Sequence, residues 1–152
     1  MWGWERGRRS KMISNWWQKR WSWQEPLAGR AFSLGSQREF ETDFFEAIAR
    51  RQADYWEVLA LLGNHYTAAK RYKDGLAVDE RLASLRPTDA IVYYNLACSY
   101  SLVGRLDFSL AALEKARALG YRDFAHIMRD RDLDALRKDD RFRSLLSKYV
   151  KV

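Results

Sequence analysis

From Arg38 onward the apolar residues keep a helical period. In the stretch FETDFFEAIARR, Phe40, Phe44, Phe45 and Ile48 fall at i, i+4, i+5 and i+8, one stripe along a helix. Strong helix formers follow, with no alternating apolar–polar run, so the pattern predicts no sheet. The spacing predicts helices over about 40–51, 56–69, 73–85, 90–102, 106–118 and 122–130, then short helices to about 149. Pro87 and Gly104 are placed to stop the third and fourth of these. The predicted core includes Leu62, Tyr66, Leu76, Leu96, Tyr100, Leu110 and Leu113. Further on, Phe124, Ile127 and Met128 share a short apolar face. Asp132 is placed to cap a helix carrying Leu133 and Leu136, and Asp139 or Asp140 one carrying Phe142, Leu145 and Leu146.

The chain also repeats itself. Residues 59–66 read LALLGNHY and residues 93–100 read YYNLACSY, each with a small residue between a leucine and a tyrosine at the same spacing. Aligning 90–123 with 56–89 gives nine identities: Val58/Val92, Leu62/Leu96, Tyr66/Tyr100, Arg71/Arg105, Leu76/Leu110, Ala77/Ala111, Glu80/Glu114, Leu85/Leu119 and Asp89/Asp123. Roughly two are expected between unrelated segments of ordinary composition. The shared positions are those that helix packing fixes, with small Gly75/Ser109 allowing two helices to approach.

A 34-residue helix–turn–helix unit carrying Leu62-Gly63-x-x-Tyr66 then Pro87, and Leu96-Ala97-x-x-Tyr100 then Ala116, resembles the tetratricopeptide repeat. The chain departs from that pattern at three places. Asp79 stands where an aromatic is usual, Gly75 replaces alanine, and Tyr121 replaces the closing proline. The resemblance implies an all-α solenoid of antiparallel helix pairs, with repeats at 56–89 and 90–123. Helix 38–52 would cap the front as the second helix of a missing repeat. The segment 124–149 would cap the back, its DLDALRKDDRF run being similar to the closing segment of bacterial tetratricopeptide proteins. The resemblance further implies a non-catalytic scaffold whose concave face binds a peptide or another protein. The expected groove residues are Ala60, Asn64, Tyr94, Asn95, Cys98 and Arg129, with Tyr94 as the aromatic anchor. One family version clamps a peptide's terminal carboxylate. Asn64, Asn95 and Arg129 match it, but its two lysines are replaced by Ala60 and Ala125, which removes most of the complementary charge.

Charge and composition change the picture mainly at the N-terminal end. The 152 residues carry a net charge of +7, of which +5 falls in residues 1–30 and +2 in the rest. The basic balance therefore does not argue that the helical part binds nucleic acid. Residues 1–23 hold six of the seven tryptophans, and residues 24–37, with Pro26, Gly29 and Gly35, read as a linker. Residues 1–37 are thus expected to be a poorly ordered leader, with Met12 a rival start, and 38–152 the folded domain. The leader places Trp16, Trp17 and Trp21 beside Lys19 and Arg20, a mixture suited to an anionic membrane surface, which supports an alternative reading as a membrane-peripheral adaptor. Stacking on single-stranded nucleic acid is a weaker alternative. No apolar run reaches the roughly 18 residues of a spanning helix, and none forms a secretory h-region. A single cysteine, Cys98, cannot staple the domain, so a reducing cytoplasm is expected.

Candidate chemistry is sparse. Asp130, Asp132 and Asp134 have calcium-loop spacing, but Ala135 and Arg141 stand where that loop needs glycine and glutamate. The aspartates read instead as caps and solvated charge. His65 and His126 have no second ligand at metal spacing, and no phosphate loop or nucleophile motif is present. Cys98 reads as a small groove residue, or as a reactive thiol. The sequence gives no expectation of an enzyme, cofactor, metal or small-molecule substrate.

Overall fold

The computed structural model describes residues 34–150, with side chains from 37 to 147. Contacts divide the chain between Ser33 and Leu34, and only the second unit is described. The expectations for the leader, including Trp16, Trp17, Lys19, Arg20 and Trp21, lie outside the described residues. The described part is all-helical, with no strand. Its elements are α1 (Leu34–Arg51), α2 (Trp56–Ala68), α3 (Tyr72–Leu85), α4 (Ala90–Leu102), α5 (Leu106–Ala118), α6 (Phe124–Arg129), a 3₁₀ turn (Arg131–Leu133), α7 (Asp134–Arg137) and α8 (Asp140–Val150). The first helix starts at Leu34, so Gly35 and Ser36 belong to it and not to a linker.

Local chemistry sets the helix ends. Helices α2, α4 and α5 stop in the same way. Arg71, Arg105 and Tyr121 donate their N–H to the carbonyls of Tyr66, Tyr100 and Ala116 at 2.8, 2.9 and 2.9 Å. The residues before them, Lys70, Gly104 and Gly120, donate to Thr67, Ser101 and Arg117, completing Schellman motifs. Those three residues have φ of 59°, 80° and 108°. Two are glycine, and Lys70 takes the left-handed conformation against its side chain. Starts repeat as well: Asp89 caps α4 by accepting from Ile91 and Val92 N–H, and Asp123 caps α6 by accepting from His126 N–H. At the back end the cap before Leu133 is Asp130, not Asp132. Asp130 accepts the Asp132 N–H at 3.0 Å, and Asp139 accepts that of Arg141 at 2.9 Å.

Consecutive helices pack on one another from α1 to α5, and the 3₁₀ turn and α7 fold back onto α4. The core runs through Leu59, Leu76, Leu82, Leu96, Leu110 and Leu113 into Ile127, Leu133, Leu136, Phe142 and Leu145. Phe45, Val58, Leu62 and Tyr66 form a second cluster between α1 and α2. Tyr100 is half-buried rather than fully so, its ring stacked on Phe108. The predicted α1 stripe is only partly buried. Phe45 packs inward while Phe40 and Phe44 are 70% and 51% exposed, because Thr42, Phe45 and Ala49 form the face turned to α2. Met128 is likewise exposed beside buried Ile127.

A polar unit recurs at the 34-residue spacing. Tyr66 donates its hydroxyl to Glu46 at 2.8 Å, and Arg71 reaches the same carboxylate at 3.2 Å while lying over the tyrosine ring. One period on, Tyr100 donates to Glu80 at 2.8 Å, and Arg105 approaches that carboxylate at 3.9 Å. Glu46 on α1 therefore holds the place that Glu80 holds on α3. Burial, reinforced by the glutamate in each case, pushes both tyrosine hydroxyls up to about 12.

Truncating Leu96 to alanine removes a fully packed side chain from α4, and a loss of about 2–5 kcal/mol is expected. Chemical denaturation checks this, and a wild-type midpoint would mean that the packed face is assigned wrongly. At the turns, Lys70→Gly relieves the left-handed strain and is expected to add about 0.5–1 kcal/mol, whereas Gly104→Ala at the matching position costs about 1 kcal/mol. The same unfolding curves, compared for the two variants, test the opposite signs.

Candidate functional site

Successive units α2 and α4 are brought alongside each other by α3, which packs on both. Between them, and closed at one end by α6 and the 3₁₀ turn, lies a cavity of about 290 Å³. Asn64, Thr67 and Ala68 line it from α2, Asp79 from α3, and Tyr94, Asn95, Cys98, Ser99 and Leu102 from α4. His126, Asp130 and Asp132 complete it.

Four of the six residues expected at the groove therefore meet there: Asn64, Tyr94, Asn95 and Cys98. The other two do not. Ala60 is half-buried against the main core, and Arg129 is exposed, donating its Nε to the Ala125 carbonyl of its own helix at 3.0 Å. With Arg129 turned away and no lysine in the lining, the carboxylate clamp is not assembled.

Tyr94 also plays a different part from the open anchor expected of it. Only 4% of it is exposed. Its ring stacks on Tyr121 at 4.3 Å, and its hydroxyl donates to Asp130 Oδ2 at 2.6 Å. Burial, then the neighbouring Cys98 and Asp130, drives that hydroxyl far above its ordinary range, so it stays protonated. Tyr94 is thus a fixed wall and donor. Cys98 lies 3.8 Å from the same Asp130 oxygen. Burial, followed by the charges of Asp130 and Asp132, pushes its thiol up, which makes it an unreactive neutral group.

The sequence marked Asp79 only as a departure from the repeat pattern. It is 6% exposed and hydrogen-bonded by the Ser99 hydroxyl through Oδ2. Its room comes from Gly63, since a Cβ there would lie 2.9 Å from Asp79 Oδ1. One period on, the matching positions are Ala97 and Leu113, with a side chain at the first and no carboxylate at the second. Burial raises Asp79 to about 6, against a smaller opposing effect of the Ser99 hydrogen bond. Asp132 is also raised, first by burial and then by Asp130. His126 Nε2 stands 3.4 Å from Asp130 Oδ2.

At the mouth, Asn64 is exposed and Asn95 half-buried, and neither side-chain amide has a hydrogen-bond partner among the described residues. Each presents a free donor and acceptor to whatever enters. Among the described residues no group of three or more His, Cys, Asp and Glu side chains converges as a metal site. Asp134, the third member of the calcium-spaced trio, pairs with Arg137. His65 packs edge-on against Phe45, away from the groove.

Asp79 makes stability fall with pH. Its folded-state value near 6 lies above the ordinary 3.8, so the folded state holds the proton more tightly. The group's favourable contribution is full below about pH 4 and is lost as pH rises through 6. Asp79→Asn, which keeps an acceptor for Ser99, is therefore expected to stabilise the domain by about 3 kcal/mol at pH 7.5 and by less than about 1 kcal/mol at pH 4. Melting curves at the two pH values measure this, and an equal effect at both would remove the ionisation argument.

Comparison with known proteins leaves the site standing on its own geometry. No protein-family model matches the chain, and no solved structure matches it. Over 107 residues the chain is 34% identical to a protein of Arabidopsis thaliana whose name describes it as chloroplastic. The match covers 68% of this chain and 30% of that protein, so the chain spans less than a third of its relative's length.

Proposed function

We propose that residues 34–150 form a tetratricopeptide-like array of antiparallel helix pairs, whose groove binds an extended peptide or partner segment without catalysis. Three contacts support the antiparallel pairing. Gly63 faces Asp79 and Tyr66 faces Gly75 across α2 and α3, and Ser109 donates to the Ala97 carbonyl across α4 and α5 at 2.7 Å. In each pair, positions later on one helix meet positions earlier on the next. The recurring Tyr–Glu–Arg unit supports stacking of successive pairs at one period. Proposed in this way, α1 is the second helix of an incomplete leading pair.

The observation that carries the binding role is the pair of unpartnered amides, Asn64 and Asn95, at the mouth of a 290 Å³ groove with a rigid wall. Side-chain amides suit the alternating donors and acceptors of a peptide backbone. A neutral thiol and a protonated tyrosine favour recognition over reaction. The described residues contain no helix long and apolar enough to cross a membrane. The single cysteine, buried and unpaired, fits a reducing compartment, and we extend that to a cytoplasmic location; the relative's name assigns that protein to the chloroplast.

The test is selection of binders to the full chain from a random dodecapeptide phage library, followed by titration of the selected peptides. The double variant Asn64→Ala, Asn95→Ala is expected to bind them about tenfold more weakly, from the loss of two hydrogen bonds, with an unchanged melting temperature. Peptides that bind this variant as well as wild type would place the binding surface elsewhere.

A further inference from the structure

The groove's charge is one-sided. Among the described residues Asp79, Asp130 and Asp132 line it, no lysine or arginine does, and His126 is the one lining group able to become positive. This is a local feature, because residues 31–152 as a whole carry a net charge of +2. One of the three carboxylates, Asp130, is already oriented on both oxygens. Asp130 Oδ2 faces Tyr94, Cys98 and His126, and its Oδ1 is fixed by the Asp132 N–H. Asp79 is the independent indication. It is 6% exposed and lines the cavity, and among the described residues it has no cationic partner and its Oδ1 accepts no hydrogen bond. A buried carboxylate left in that state is costly unless a positive group arrives to pair with it.

Building on the groove reading above, we infer that this cavity receives a cationic side chain, the lysine or arginine of a bound peptide, with Asp79 and Asp130 as its acceptors. A terminal carboxylate would meet three negative charges there and no positive one. A bare metal ion would find no converging ligand set among the described residues. A lysine or arginine side chain fits within the 290 Å³, brings its own donors to the free Asp79 oxygen, and leaves its backbone at Asn64 and Asn95. Burial strengthens each such charge-assisted contact relative to one on the open surface.

The test uses three heptapeptide pools with random flanks and a fixed central residue: arginine, its uncharged isostere citrulline, or glutamate. Each is titrated into the full chain while the amide resonances of Asn64, Asn95 and Ser99 are followed. The arginine pool is expected to shift these resonances with about tenfold higher affinity than citrulline, and glutamate to be weakest. Asp79→Asn and Asp130→Asn, the second of which keeps an acceptor for Tyr94, should each narrow the arginine–citrulline gap while leaving the circular dichroism spectrum unchanged; an unchanged gap in both would overturn the assignment of the acceptors. Free spermidine should fail to displace the arginine pool at equal concentration; displacement would overturn the assignment to a peptide side chain. If citrulline or glutamate pools shift the groove as strongly as arginine, the cation inference falls and the groove reading survives. If no pool shifts these amides at millimolar concentration, both fall.

Discussion

The backbone of α2 at Gly63 carries no side chain, and the carboxylate of Asp79 occupies the space this leaves. The placement of α2 against α3 and the polar floor of the groove both depend on that contact. A methyl group at residue 63 would press on Asp79 Oδ1, and Asp79 in turn holds α3 to α4 through Ser99. The groove lies where these three helices meet, so one glycine–aspartate contact couples helix packing to the chemistry of the cavity. The second unit, with Ala97 and Leu113 at the same places, packs without any carboxylate. The polar floor is therefore a property of one position and not of the repeat.

Most of the fold could be read from the chain, because a 34-residue period constrains helix starts, stops and packed faces together. Leu62/Leu96 and Leu76/Leu110 are buried, Tyr66/Tyr100 bond the glutamate one helix earlier, and Asp89/Asp123 both act as N-caps. Periodicity failed at α1, which among the described residues packs on α2. The 3.6-residue stripe of α1 could not say that Phe40 and Phe44 would remain exposed, because what covers a face is decided by tertiary packing. The site was half legible. Asn64 on α2 and Tyr94, Asn95 and Cys98 on α4 stand at positions that the resemblance led one to expect at a groove, and they meet there. Asp130 and Asp132 come from the back segment, which departs from the period, and only the fold brings them to Tyr94. Asp79 did give a signal, an acid where the resembled pattern has an apolar ring, and a carboxylate buried in a cavity is a candidate binding group.

The same groups show how the domain balances stability against an accessible groove. Tyr94, Tyr121 and Asp130 form a satisfied, rigid wall, with ring stacking and a short hydroxyl–carboxylate bond. Asp79 works the other way: its desolvation costs folding free energy at neutral pH, and one hydrogen bond offsets only part of it. Sites that bind charged groups commonly carry such a cost, since a carboxylate already stripped of water and fixed in place loses little more when its partner arrives. The Schellman turns and the Tyr–Glu–Arg units supply the order that allows this local cost to be carried.

The central claim is that Asp79 is a buried, ionisable carboxylate at the groove floor. Carbon-detected NMR titration of the side-chain carboxyl groups in the full chain measures this directly. The account predicts a midpoint for Asp79 near 6, well above the ordinary aspartate value of 3.8. A midpoint at or below 3.8 would show a solvated or cation-paired carboxylate, and the glycine–aspartate contact could not then be the floor of the site.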